Sequence, residues 1–388
     1  MLKDDNALRR DRNFIAGSWV SAGSGAVEPV LDPASGEEVG QVPISSAQDA
    51  HAAVDAACKG LETMRGLTAA ERADLLFALH DRVLEHKEAL AELLTAEQGK
   101  PLVEARAEIG MSAAYVRWYA EEARRLYGRT IPSPWPDREL VATHQPVGVV
   151  AAITPWNFPS SMLARKIAPA LAAGCSVVAK PAPQTPLSAL AWGVLAEEAG
   201  LPAGAINIVT GPAEEIGDVF LSREEVRKLT FTGSTGVGKL LLARAAATVK
   251  KVSMELGGNA PFLVFDDADL DRAVDGAIDA KFRNTGQTCV CANRVLVQDG
   301  IYDDFVERLA EKAAALKVGP GKEPGVEQGP MIDEAALGKV EDMVADAVEK
   351  GGRIVTGGRR AGAVGRFFEP TVIADAKGNM RCASEEIF

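Results

Sequence analysis

Apolar positions in the first hundred residues follow two rhythms. From Phe14 to about Ser45 they come in twos and threes broken by turn residues, as in Phe14-Ile15-Ala16-Gly17 and Pro33-Ala34-Ser35-Gly36, which predicts short strands and turns. From Ala47, with Ser46 as its cap, they recur every three or four residues to about Leu61, and again from Thr68 to about Gln98. That spacing predicts helices, the second one ended by Gly99-Lys100-Pro101. Residues 128–146 break the rhythm: Pro132, Pro134 and Pro136 precede the strand-like Leu140-Val141-Ala142-Thr143, which reads as a projecting hairpin or arm.

Beyond the arm the two patterns alternate. Strands are expected at Val147–Ile153, Ser176–Lys180, Ala205–Val209 and Arg227–Thr232, with helices at Ser161–Ala173, Pro186–Ala199 and Thr235–Thr248. Strand–helix alternation implies crossover connections and a parallel sheet. A second series starts at Pro261–Phe265, with a helix to about Lys281, a strand near Arg294–Val297 and a helix at Tyr302–Leu316. The break between the series falls at Gly257-Gly258, and no internal repeat is evident.

Composition narrows the function classes. The 388 residues suffice for two or three domains, and 47% apolar content is that of an ordinary globular chain. A net charge of -12 argues against nucleic-acid or anionic-membrane partners, which need Lys and Arg to neutralise phosphates. It leaves room for a small anionic substrate in a local basic pocket. Five cysteines, an odd number, and a charged start from Met1 to Phe14 without a leader pattern point to a reduced cytoplasmic setting. No apolar run is long enough to span a bilayer. His51, His80, His86 and His144 are scattered away from the cysteines, so zinc-type ligand spacing is absent and no metal is expected.

Four segments could carry chemistry. Phe231-Thr232-Gly233-Ser234-Thr235-Gly236-Val237-Gly238-Lys239 follows a strand and opens a helix, where free N–H groups suit a phosphate. It lacks the Ser/Thr of a P-loop, because Leu240 follows Lys239, and its glycines miss the G-x-G-x-x-G spacing. The choice lies between a pyrophosphate site of unusual spacing and a plain glycine turn. Cys289, behind Gly286-Gln287-Thr288, sits where a loop could expose a thiolate nucleophile, or it is a small buried apolar residue. Glu255, before Leu256-Gly257-Gly258, is a general base or an ion-paired strand-end carboxylate. Asn157, in Pro155-Trp156-Asn157-Phe158-Pro159 after a strand, is an oxyanion donor or part of a rigid aromatic turn.

Taken in order along the chain, these segments resemble the aldehyde dehydrogenase superfamily. Lys180-Pro181-Ala182 before Gln184-Thr185-Pro186, and the final Glu385-Glu386-Ile387-Phe388, complete the likeness, which runs from about residue 13 to the last. The resemblance implies an α/β fold: a Rossmann-type parallel-sheet domain for NAD(P) (1–127 and 147–256), a small β arm for oligomerisation (128–146) and an α/β catalytic domain (257–388). It implies that Cys289 attacks the aldehyde, that the Asn157 amide and the Cys289 N–H hold the oxyanion, and that Glu255 activates the deacylating water. Lys180 is then expected at the adenosine ribose, Gly233 and Ser234 at the pyrophosphate, Glu386 at the nicotinamide ribose and Phe388 against the nicotinamide. Trp156, Pro183, Gly217, Val237 and Leu256 complete the expected cofactor contacts. Glu255 favours hydrolysis over transfer of the acyl group to coenzyme A.

The runs Lys281–Arg294, Ala260–Asp269 and Met162–Lys166 are similar to bacterial succinate-semialdehyde dehydrogenases of GABA catabolism. In that branch Arg165 and Arg283 would reach the substrate tunnel, where a guanidinium pair suits a distal carboxylate. Glutarate semialdehyde, one methylene longer, is the alternative, since a methylene discriminates by only about 1–3 kcal/mol. Many NAD-using relatives carry Glu at the position of Pro183. Its absence leaves nothing acidic against a 2′-phosphate and points to NADP, with NAD tolerated. Cys291 could pair with Cys289 as a redox switch only if the loop moves. The resemblance also implies a further segment beyond Phe388. That segment would carry a strand for the arm and a serine for the substrate carboxylate. A truncated catalytic domain is therefore expected, with doubt cast on the homo-oligomer. The competing reading is an inactive fragment that still binds NAD(P).

Overall fold

The computed structural model describes residues 7–362 and 365–388, and the first six residues of the charged start lie outside the described residues. The chain divides into two compact units. The first comprises residues up to 30, then 40–93 and 106–255; the second comprises 31–39, 94–105 and 256–388. Two short stretches preceding the hairpin, 31–39 and 94–105, thus belong with the C-terminal part, a long-range association that local periodicity does not encode.

The first unit is built on a seven-stranded sheet. Its order is Lys251–Leu256, Val226–Gly233, Val149–Ile153, Ser176–Lys180, Ile206–Ile208, Asn13–Ile15 and Ser18–Val20. The four strands from Val226–Gly233 to Ile206–Ile208 run parallel, and Asn13–Ile15 adds antiparallel at one side. Ser176–Lys180 and Ile206–Ile208 are buried throughout, as expected of parallel strands covered on both faces. Helix Pro186–Glu198 is buried all round until its last two residues, which explains why its sequence is apolar without a polar face.

The long helical stretch after Thr68 is two helices, Ala69–Glu85 and Lys87–Gln98. The first opens on a reciprocal cap: Thr68 N donates to Glu71 Oε2 at 2.7 Å and Glu71 N to Thr68 Oγ1 at 3.2 Å. Helix Leu102–Ala123 follows. Its core face is largely Ala and Ser, so its periodicity is weak in sequence. Residues 128–146 contain an antiparallel hairpin, Arg129–Ile131 with Leu140–Ala142, exposed along almost its whole length.

In the second unit, strands Ala260–Val264 and Ala292–Val297 are parallel, with helix Leu270–Phe282 between them in sequence. Val264, Val274, Ala277, Phe305 and Leu309 form the core that joins this pair to helix Tyr302–Ala315. Helix Glu334–Glu349 and the antiparallel pair Arg353–Thr356 and Val372–Ala374 complete the unit. No helix among the described residues is long and apolar enough to cross a membrane.

Candidate active site

Three neighbouring parallel strands of the first unit end in predicted site residues. Trp156 and Asn157 follow Val149–Ile153, Lys180 closes Ser176–Lys180 with Pro183 in the turn beyond, and Gly233 closes Val226–Gly233 ahead of Ser234. The carboxyl edge of such a sheet is where ligands bind. Asn157 is buried, and the turn that carries it is fixed from the helix that follows. Glu108 Oε1 accepts from Ser160 N and Ser161 N, both at 3.0 Å, at the start of helix Pro159–Ala172. A carboxylate at a helix N-terminus satisfies free N–H groups and complements the helix dipole. The Ser112 and Ser160 hydroxyls lie 3.0 Å apart, and Trp192 Nε1 donates to Ser160 Oγ at 3.3 Å.

The same edge has the donor set that a dinucleotide needs. Ser234 caps helix Thr235–Ala245, its Oγ accepting from Val237 N at 3.4 Å, and both residues are exposed. A Cβ on Gly236 would meet nothing within 4 Å, so the helix N-terminus is open to an anion. Thr154 Oγ1 and Thr232 Oγ1, just past one strand end and within the next, are buried hydroxyls without a hydrogen-bond partner among the described residues. Lys180 Nζ is buried and donates to Pro181 O at 2.9 Å. Burial lowers its pKa to about 8, against a smaller opposing influence of Glu28. Pro183 is exposed and Gly217 is buried in helix Ala213–Ser222. These residues fit an NAD(P) group.

Arg165 and Glu255 line one cavity of ≈ 440 Å³ with Lys166, Lys228, Tyr115 and Tyr119. Arg165 Nη2 is 3.9 Å from Glu255 Oε1, and its guanidinium lies 5.7 Å from the Tyr115 ring centre. Glu255 is about half exposed, which leaves its carboxylate room to turn. Lys166 is buried and donates to Thr230 Oγ1 at 3.1 Å. Burial, then the neighbouring Arg165, lower its pKa to about 7, with Glu255 acting the other way and Lys228 adding a further lowering. Lys228, bonded to Ser253 Oγ at 2.6 Å, is also lowered by burial. The cavity is therefore cationic on balance, with one carboxylate in its wall.

The second unit carries the loop of Cys289, the residue expected to act as nucleophile. After helix Leu270–Phe282 the chain enters a turn in which Asn284, Thr285 and Gly286 have φ of 53°, 59° and 74°. A left-handed residue other than glycine costs about 1–3 kcal/mol, and a β-branched one is the least favoured. Side chains hold this turn. Glu104 accepts from Asn284 N at 2.9 and 3.2 Å, and Thr285 Oγ1 accepts from Gly329 N at 2.9 Å. Gln287 accepts from Ile332 N at 3.0 Å and donates to Pro330 O at 3.3 Å, while Gln328 Nε2 donates to Phe282 O at 3.0 Å. Cys289 is half-buried at the end of this loop. Cys291 is buried and its thiol donates to Lys281 O at 3.3 Å; burial raises its pKa, and no disulfide joins it to Cys289. Arg283 is exposed where the helix gives way to the turn.

Glu386 is set by a separate group of contacts. A Cβ on Gly257 would overlap the Glu386 carboxylate, so only glycine allows that side chain to lie where it does. Lys339 Nζ donates to Glu386 O at 2.9 Å, and Lys281 Nζ to Ile387 O at 3.3 Å and to Asn293 Oδ1 at 2.8 Å. Asn259 Nδ2 donates to Glu385 O at 3.0 Å. Leu256 and Phe388 are half-buried.

Of the sequence-predicted residues, Trp156, Asn157, Arg165, Lys180, Pro183, Gly217, Gly233, Ser234, Val237 and Glu255 fall in the first unit. Leu256, Arg283, Cys289, Cys291, Glu386 and Phe388 fall in the second. Sequence reasoning passes over Glu104, Glu108, Lys166 and Lys281. Glu108 has a usable signal, because it sits among Ala105, Ile109, Ser112 and Ala113 on the buried stripe of its helix. A carboxylate there needs partners.

Residues 19–388 match the family model described as the aldehyde dehydrogenase family, and the chain belongs to that family. It is 57% identical over 387 residues to a 3-sulfolactaldehyde dehydrogenase of Pseudomonas putida, covering 100% of this chain and 79% of that one. It is 52% identical to the NADP(+) succinate-semialdehyde dehydrogenase GabD of Escherichia coli, covering 100% and 80%. To a glutarate-semialdehyde dehydrogenase of Pseudomonas aeruginosa it is also 52% identical, covering 99% and 80%. Among solved structures, a succinate-semialdehyde dehydrogenase from Burkholderia pseudomallei superposes with a TM-score of 0.97 at 51% identity, covering 99% of this chain and 80% of that one.

Proposed function

We propose that the chain is an NADP-dependent dehydrogenase that oxidises succinate semialdehyde to succinate. Cys289 is the nucleophile in this reading. Its thiolate adds to the aldehyde carbon, and the Asn157 amide and the Cys289 N–H hold the oxyanion. NADP, when bound, accepts the hydride that leaves the thiohemiacetal. Glu255 then takes a proton from the water that cleaves the thioester, so that aldehyde, NADP+ and water become acid, NADPH and a proton. Lys180, Ser234 and Glu386 hold the cofactor, with Trp156, Pro183, Gly217, Gly233, Val237, Leu256 and Phe388 around it.

The observation that carries the substrate class is the cationic cavity of Arg165, Lys166 and Lys228 around Glu255, which suits an aldehyde with a distal anion. Arg283 is the second arginine proposed for that carboxylate. The match to a 3-sulfolactaldehyde dehydrogenase favours a second reading, in which the distal anion is a sulfonate. The match to a glutarate-semialdehyde dehydrogenase favours a longer carboxylate. The exposed hairpin, with Ile131 and Val141 uncovered, is proposed to meet a second copy of the chain. Five free cysteines suit a reducing cytoplasm.

The test follows NADPH at its absorbance band with the three aldehydes and with NAD in place of NADP. Succinate semialdehyde is expected to give the highest kcat/KM, and Cys289→Ala to lower turnover by at least about a thousandfold. A higher value with 3-sulfolactaldehyde would replace the succinate reading. Turnover unchanged in Cys289→Ala would overturn the mechanism.

A further inference from the structure

We infer that Glu104 is a positioning residue for the nucleophile: its carboxylate, on the N–H of Asn284, holds the left-handed turn that sets where Cys289 stands. The inference rests on the reading of Cys289 as nucleophile. Three consecutive residues of the turn have positive φ, and two of them are not glycine. Left to itself, such a segment would relax towards ordinary backbone and carry Cys289 with it.

The turn also strands a donor. Had helix Leu270–Phe282 continued, Asn284 N would bond back to a carbonyl one turn earlier. Arg283, with ψ of 133°, ends the helix just before the left-handed residues and removes that partner, and Asn284 is fully buried. A buried N–H needs an acceptor. Glu104 supplies both carboxylate oxygens to it, at 2.9 and 3.2 Å. This bond falls on the first residue of the kink, and both oxygens of the carboxylate face the one N–H.

Glu104 is itself well anchored. It lies in the first turn of helix Leu102–Ala123, behind Gly99-Lys100-Pro101. A Cβ on Gly329 would overlap Gly99 O, so the two backbones touch, and Leu102 N donates to Gly321 O at 2.9 Å. This explains why 94–105 groups with the second unit: the stretch braces the nucleophile loop.

The test compares Glu104→Gln, Glu104→Ala and Glu104→Asp. Gln keeps an acceptor oxygen at the same reach, Ala removes it, and Asp draws it back by one methylene. The readout is acylation of the Cys289 thiol by p-nitrophenyl acetate without cofactor, in which the thioester forms as p-nitrophenolate leaves, with Cys289→Ala as baseline. NADP affinity is measured alongside by fluorescence titration. Ala and Asp are expected to slow acylation on the order of tenfold to a hundredfold with NADP affinity unchanged. Gln should stay within about threefold of wild type. Should Ala fail to fold, the Gln–Asp contrast decides. Equal slowing in Gln and Ala would mean that charge and not the accepted hydrogen bond matters, and would overturn the inference, as would no slowing in Asp. A wild-type rate no faster than Cys289→Ala would instead remove the nucleophile reading beneath it.

Discussion

Around Cys289 the fixing contacts are hydrogen bonds to main chain: Glu104 on Asn284, Thr285 on Gly329, Gln287 on Ile332 and Pro330. Around Glu255 the contacts are charges, with Arg165 at 3.9 Å and Lys166 and Lys228 in the same cavity wall. A nucleophile whose own N–H must meet an oxyanion gains from a rigid main chain, because small displacements there are costly. A base that takes a proton from water gains from a side chain that can turn towards it. On the proposed roles, the second unit's loop holds geometry and the first unit's cavity holds charge. That division can be broken by experiment.

The largest separation should come from Glu255→Gln. It removes the carboxylate proposed as the base and none of the side chains that hold the Cys289 loop. In the proposed sequence hydride transfer precedes the step that needs Glu255, so the variant is expected to release about one NADPH per site rapidly and then turn over about 10²–10⁴-fold more slowly. Stopped-flow absorbance separates the two phases. Loss of the first phase as well would show that Glu255 also activates the thiol, and the division of labour would fail.

The two regions were unequally legible in the sequence. The parallel strands of the first unit are short apolar runs bounded by turns, and Ser176–Lys180 is found at its expected limits. Asn157 and Lys180 could be placed because a strand end is a local feature. The single helix expected from Thr68 to Gln98 splits at His86, a break without Gly or Pro to announce it. The grouping of 94–105 with the C-terminal part and the bond from Glu104 to Asn284 span about 180 positions of chain, and no periodicity carries information over that distance. The left-handed Asn284 and Thr285 were equally hidden, since only Gly286 in that turn signals positive φ by its type.

A smaller effect should appear at the cofactor edge. The Lys180 ammonium, whose pKa burial lowers to about 8, is charged below that pH and neutral above it. If it faces the 2′-phosphate, NADP affinity should fall as pH rises past about 8, by about tenfold at the alkaline end, while NAD affinity changes less. A bound phosphate raises the lysine pKa, so the midpoint with NADP should lie above 8. Fluorescence titrations with both nucleotides, repeated on Lys180→Met, test this. Parallel pH profiles for the two nucleotides would assign the preference elsewhere.

The smallest effect is on stability alone, and it separates two lysines. Lys166 titrates at about 7 in the fold and near 10.5 when unfolded. Between those values the unfolded chain binds more protons, so stability rises with pH; the penalty for burying the charge is complete below about 7 and gone above about 10.5. Lys166→Met should therefore stabilise the protein at pH 6 on the order of 2 kcal/mol, and the gain should vanish towards pH 10.5, where only the bond to Thr230 is lost. Lys281 in the second unit also has a pKa lowered by burial, but it grips Asn293 Oδ1 and Ile387 O. Lys281→Met should consequently destabilise at both pH values, because two partly buried acceptors lose their donor. Urea unfolding at pH 6 and pH 10 distinguishes them. Equal pH dependence in the two variants would mean that the second unit too depends on charge, and that the contrast between a geometric and a titrating half does not extend beyond the loop that holds Cys289.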